Sequence, residues 1–187
     1  MSILKKITPV FIVSSILLSP SVFAASQGAM VTFEAMVRTA SCTVSSTTEG
    51  AMVNWGVFTT QELADKEAGS ELGNTKDFNL MLTDCSAENA DGDSTVHVHA
   101  SGSASAFNPN LFANSAAKSL AVKLEATSAD NSPVDVKPNR DASVSIVDTL
   151  KDKGFAIIPM KASLIMVNKA VVGDSLKVPV TFTVSYN

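Results

Sequence analysis

Leu176, Val178, Val180, Phe182, Val184 and Tyr186 put an apolar side chain at every second position without a break, with Lys177, Pro179, Thr181, Thr183 and Ser185 between them. A period of two belongs to a β-strand that turns one face to a core. The sequence ends one residue later, at Asn187. A strand inside a sandwich needs a neighbour on each flank, or a row of N–H and C=O groups stays open. No residues come after this strand to supply one, so its second neighbour is expected from elsewhere. One other stretch alternates as cleanly: Gly28 to Val37, "GAMVTFEAMV", with Ala29, Val31, Phe33, Ala35 and Val37 on one face. The two stretches share the tripeptide "VTF".

That second stretch stands close behind a leader. "MSILKK" is a basic head with Lys5 and Lys6, "ITPVFIVSSILL" is a short apolar run, and "SPSVFA" closes it with small residues. These are the three parts of a secretory signal peptide, with Val22-Phe23-Ala24 fitting cleavage after Ala24. Residues 1–24 are therefore expected to be removed, and the apolar run, interrupted by Pro20, is too short for a membrane span. The remainder, Ala25 to Asn187, suits one domain. The whole chain carries a net charge of −4 and has no basic cluster, which excludes nucleic acid as an expected partner.

An exported chain enters an oxidising space. Of its two cysteines, Cys42 and Cys85, a disulfide is the default reading. Two buried thiols or a metal pair are the alternatives, and a metal site needs more ligands than two distant cysteines. Such a bridge closes a long loop and contributes about 4 kcal/mol if the effect is taken as chain entropy.

Only residues 61–68, "QELADKEA", read as a helical turn or two. Short β-patterns fill the rest: 42–44, 51–56, 78–85, 94–100, 119–126, 144–147, 155–167 and 175–186. Pro159 within 155–167 calls for a bend, an edge or a bulge. Turn-rich stretches such as "SGSASAFNPNLFANSAA" and "ATSADNSPVDVKPNRD" read as loops. Many short strands at this spacing predict an all-β, antiparallel sandwich of immunoglobulin type.

Set out in this order, the sequence resembles the pilin subunits of the chaperone–usher pathway, of the type 1 and P fimbria kind. The match is carried by the alternating arm leading into Cys42, by "VNWG" (53–56), by "FNLMLTDC" (78–85) ending in Cys85, and by "IPMKASL" (158–164). It is carried above all by Gly173, fourteen positions before the last residue, and by penultimate Tyr186, with alternating apolar residues between them. The resemblance implies an incomplete immunoglobulin-like β-sandwich lacking its seventh strand, completed by a donor strand from a chaperone or a neighbouring subunit. It implies residues 25–38 as an N-terminal donor-strand extension and 39–187 as the pilin domain. Ala29, Val31, Phe33, Ala35 and Val37 match the arm positions that fill five successive pockets, with strand invasion beginning at the Val37 end. Gly173, Leu176, Val178, Val180, Phe182, Val184, Tyr186 and Asn187 match the acceptor strand and the terminus that a chaperone recognises.

The partners so implied are a periplasmic pilus chaperone, an outer-membrane usher and other pilin subunits; the destination is a cell-surface fimbrium reached through the periplasm, and no cofactor is implied. Two positions depart from the family pattern. Ala35 stands where the arm typically has Gly, and Leu164 where an aromatic is frequent.

Sharper readings of single motifs find weaker footing. His97 and His99 form an H-x-H on one strand face, which could chelate a metal, but no third ligand is near in sequence and a solvated strand face explains them. "DGDS" (91–94) lacks the spaced oxygen ligands of a calcium loop and reads as a hairpin turn. Trp55, alternating with Val53, reads as core rather than a sugar platform. No catalytic motif is present, so the expectation is a structural subunit and not an enzyme. The competing expectations are a stand-alone secreted β-sandwich that binds a carbohydrate or protein, and a periplasmic metal-binding domain using His97 and His99. A two-domain tip adhesin is disfavoured, because that type needs an additional receptor-binding domain.

Overall fold

The computed structural model describes residues 42–46, 53–84, 95–146, 154–169, 173 and 175–186. Among them, eight strands and one short helix run in the order β1 (Thr43–Ser46), α1 (Thr60–Ala64), β2 (Glu71–Thr83), β3 (Thr95–Gly102), β4 (Leu120–Thr127), β5 (Pro133–Val136), β6 (Asp141–Ser145), β7 (Phe155–Met166) and β8 (Val180–Tyr186). The expected helix over 61–68 is shorter and begins one residue earlier. It is set by a capping box: the Glu62 amide donates to Thr59 Oγ1 (3.2 Å) and the Thr59 amide donates to Glu62 Oε2 (2.7 Å). Among the described residues no helix is long and apolar enough to cross a membrane.

The strands form two sheets, both antiparallel throughout. The larger runs β1-β2-β7-β4-β5 and the smaller β6-β3-β8. Alternation decides which side chains meet between them. Leu80 and Leu82 of β2, Val96 and Val98 of β3, Val144 of β6, Ile158 of β7 and Val184 of β8 are all 1% exposed or less. Each such side chain contributes about 1.5–3 kcal/mol when fully buried. The fold is thus the expected all-β sandwich with an incomplete immunoglobulin-like arrangement.

Pro159 sits in the middle of β7, facing Asn79 of β2. The pairing of β7 with β4 runs only from Met166 to Met160. Pro159 therefore lies just past the end of the second ladder, where β7 is paired on one side alone among the described residues, and that is where a residue without an N–H is tolerated in a sheet.

Four sequence expectations are revised. Residues 53–59, which include the end of the expected 51–56 strand, are not in a strand; they lead into α1, and Trp55 bridges two apolar clusters instead. Its Nε1 donates to the carbonyl of Asn74 (3.1 Å). That carbonyl belongs to a bulge in β2 between Leu72 and Lys76. The bulge accounts for the second revision, a β2 that begins at Glu71 instead of 78: its polar "GNTKD" hides the strand's first half. β5 is a third, lying in a stretch that its Ser, Asp, Asn and Pro content assigns to a loop. Fourth, residues 175–179 of the expected last strand carry no sheet ladder. The whole "DGDS" turn (91–94), Ala29 to Val37 and Cys85 lie outside the described residues.

Candidate functional site

The small sheet ends on β8. Its register with β3 runs from Val180 opposite Gly102 to Tyr186 opposite Val96. Among the described residues no strand pairs with its other flank. β8 is thus an edge, yet its sequence is that of an interior strand. Edge strands are usually short or protected by charge; this one is seven residues long, "VTFTVSY", without a charge.

Burial along the same segment shows where cover is lacking. Val184 is 1% exposed, whereas Leu176, Val178, Val180 and Phe182 all pack on the core but remain half-buried. The intervening Lys177, Pro179 and Thr181 are exposed. The Phe182 ring reaches the opposite sheet and meets Phe78 of β2 at 5.9 Å between centroids, tilted by 49°. A row of inward-facing apolar side chains under incomplete cover, beside an open backbone edge, is the geometry that accepts an added strand.

The stretch ahead of β8 is held by other means. The Asn114 side chain donates from Nδ2 to the Ser175 carbonyl (3.2 Å), and its Oδ1 accepts from the Lys177 amide (2.9 Å). Leu176, between those two residues, packs against three apolar clusters of the described residues. At the point where β8 begins, Gly102 of β3 is closely approached. A Cβ there would lie 3.0 Å from Phe112 Cδ1 and 3.2 Å from the Pro179 carbonyl oxygen. Gly102 is also clasped by Asn139, whose Oδ1 accepts from its amide (3.2 Å) and whose Nδ2 donates to its carbonyl (3.0 Å).

Of the other expected acceptor residues, Gly173 is exposed and Asn187 lies outside the described residues, as do all five donor positions. Cys42 is disulfide-bonded, and the one other cysteine of the sequence is Cys85. Asn114, Asn139 and Gly102 were not singled out by the sequence. They sit at the ends of loops or strands, where residue type alone carries no sign of what the fold places opposite.

The histidine pair is on the outer face of this sheet. His97 Nδ1 is 3.2 Å from Ser143 Oγ and His99 Nδ1 is 2.8 Å from Asp141 Oδ1, each across the β3–β6 ladder. Among the described residues no three His, Cys, Asp or Glu side chains gather as a metal site would require. A cleft of about 310 Å³ beside β4 and β5 is lined by Asn108, Asn110, Lys123, Asp135 and Lys137. Lys123 already pairs with Glu125 (2.9 Å) and Asp135 (3.5 Å), which hold its ammonium above the ordinary lysine range.

Residues 31–187 match the family model described as "Fimbrial protein". Among solved structures, the P pilus rod subunit PapA aligns at 18% identity and a TM-score of 0.53, covering 78% of this chain and 99% of PapA. A chaperone–usher pilus solved in connection with rod uncoiling aligns at 16% identity and a TM-score of 0.56, covering 87% and 97%. The CupB6 tip adhesin from Pseudomonas aeruginosa aligns at 10% identity and a TM-score of 0.50, over 79% of this chain and 42% of the adhesin. At these identities the likeness is one of fold. No curated protein matches the sequence.

Proposed function

The chain belongs to the fimbrial protein family and is a structural subunit of a surface pilus, and from that premise we propose that it polymerises head to tail by donor-strand exchange. β8 and the residues leading into it form the acceptor groove. Residues 25–38 form the donor arm that fills the groove of the subunit added before it, with Ala29, Val31, Phe33, Ala35 and Val37 pointing in. Both strand pairs of the small sheet are antiparallel, so an arm added in the same sense places Val37 beside residues 176–178 and Ala29 toward Tyr186. Arm and groove are different surfaces of one chain, so the contact is heterologous and builds an open filament.

The observation that carries this reading is the seven-residue apolar edge of β8, whose core-facing Val180 and Phe182 are only half covered. Before assembly the same groove is filled by a strand lent by a periplasmic chaperone, and an outer-membrane usher is where the exchange takes place. Gly173, Tyr186 and Asn187 belong to the chaperone-recognition end, and Cys42 with Cys85 ties the root of the arm to the end of β2. The chemistry is non-covalent throughout.

The test is deletion of residues 25–38. The shortened subunit should still be captured by its chaperone but should not be added behind another pilin, because it has no arm to donate. Normal incorporation of the shortened subunit into the filament would sink the reading. A stable, chaperone-independent monomer would point to the stand-alone sandwich instead.

A further inference from the structure

Donor-strand exchange needs the acceptor edge to be extended before the donor arrives, and the first part of that edge has no ladder of its own. Residues 175–179 precede β8, and the alternation of half-buried Leu176 and Val178 with exposed Ser175, Lys177 and Pro179 is that of an extended chain. One side chain supplies hydrogen bonds in place of the ladder. The primary amide of Asn114 spans the Ser175 carbonyl and the Lys177 amide at 3.2 and 2.9 Å. A primary amide carries the same donor and acceptor as a peptide group, so Asn114 stands in for one residue of a neighbouring strand.

Its own backbone is fixed on both sides. The Ala113 amide donates to the Ser103 carbonyl (3.0 Å), in the chain that continues β3, and the Ala117 amide donates to the Asn114 carbonyl (3.0 Å). Asn114 therefore occupies the flank that β3 occupies farther along. In an extended chain the backbone groups of Leu176 and Val178 point to the opposite flank, where the donor would lie.

We infer that Asn114 is a positioning residue for strand exchange: it presets residues 175–178 as an extended template at the end of the groove that meets Val37. This rests on the donor-strand reading above. It makes Asn114 act at the start of insertion, not on the stability of the finished joint. A template already extended spares the incoming strand the ordering of its partner.

The experiment uses the mature chain and a fluorescent synthetic peptide of residues 25–38, with the uptake rate followed by anisotropy. Asn114→Ala should slow uptake about tenfold, the scale of one or two hydrogen bonds expressed in a rate. The same substitution should have little further effect on a peptide carrying Val37→Asp, whose insertion at that end is already impaired. Equal slowing of both peptides, or none, overturns the inference and leaves donor-strand exchange standing. A wild-type chain that takes up no peptide overturns the donor-strand reading, and this inference falls with it. Hydrogen exchange on the unaltered, peptide-free chain needs no variant. The Lys177 amide should exchange at least about tenfold more slowly than that of Val178, and equal rates would count against Asn114 as the template's anchor.

Discussion

Gly102 is a residue at which the β8 edge is tightly drawn. Its missing Cβ leaves room for the Phe112 ring, itself 0% exposed, and for the Pro179 carbonyl at the start of β8. The Phe112 backbone is bridged to both Ala104 and Val122, so the ring has little freedom to swing aside. Gly102→Ala is therefore expected to destabilise the domain by roughly 1–3 kcal/mol, the usual cost of overfilling a packed site. Thermal unfolding should show the drop, and an unchanged melting temperature would mean that Phe112 yields more easily than its burial implies. Nothing in the sequence around "HVHASGSAS" marks this glycine, since its role depends on a loop farther along and on the far end of the chain. The apolar alternation of β3 and β8 was legible because it is local; the glycine between them was not, because its constraint is tertiary.

Elements show the same contrast at larger range. β3, β4, β7 and β8 were legible because each repeats its apolar face at period two, and short β5 and the first half of β2 were not. The bulge that hides the start of β2 is braced by Glu71. Its Oε1 accepts from Thr75 Oγ1 (2.6 Å), whose hydroxyl is 3.3 Å from Ser163 Oγ on β7. The Ser163 hydroxyl first, then Thr75, hold the Glu71 carboxyl below the usual carboxylate range. A lowered folded-state pKa means that the ionised carboxylate favours the folded state above its unfolded pKa, and that this contribution is lost as the pH falls through the folded one. Urea midpoints taken at neutral pH and again below the carboxylate range should therefore fall less in Glu71→Gln than in the wild type; identical falls would remove Glu71 from the acid response.

The acceptor and donor elements can be tested against each other. If the Val37 end of the arm meets residues 176–178, a charge there is buried against Leu176 and Val178 without a counter-ion, which is costly. Val37→Asp in the arm should slow exchange by about tenfold or more, each 1.36 kcal/mol of barrier being worth a factor of ten, whereas Met36→Asp, one residue away on the opposite face, should be close to neutral. Similar rates for the two variants would mean that the arm presents its other face to the groove. The alternation in the sequence spans 175–186 as one strand; the structure divides it into a laddered part, 180–186, and a part held by Asn114, a division that alternation alone does not register.

At the scale of the molecule, an apolar edge that is incompletely covered makes stability depend on what occupies it. A ligand that binds only the folded state adds RT ln(1 + [L]/Kd), so a donor peptide at a hundredfold excess over its Kd adds about 2.7 kcal/mol. For a domain of this size that corresponds to a rise in melting temperature of roughly 5–10 °C. The mature chain titrated with a synthetic peptide of residues 25–38 should show that rise growing with the logarithm of peptide concentration, while a peptide of the same composition in scrambled order should not. A melting temperature independent of peptide would mean that the half-covered Val180 and Phe182 already have all the cover they need, and the filament would require a different joint. On the donor-strand reading, the next copy's arm fills one groove and leaves that copy's own groove open in turn, so growth continues for as long as subunits are supplied.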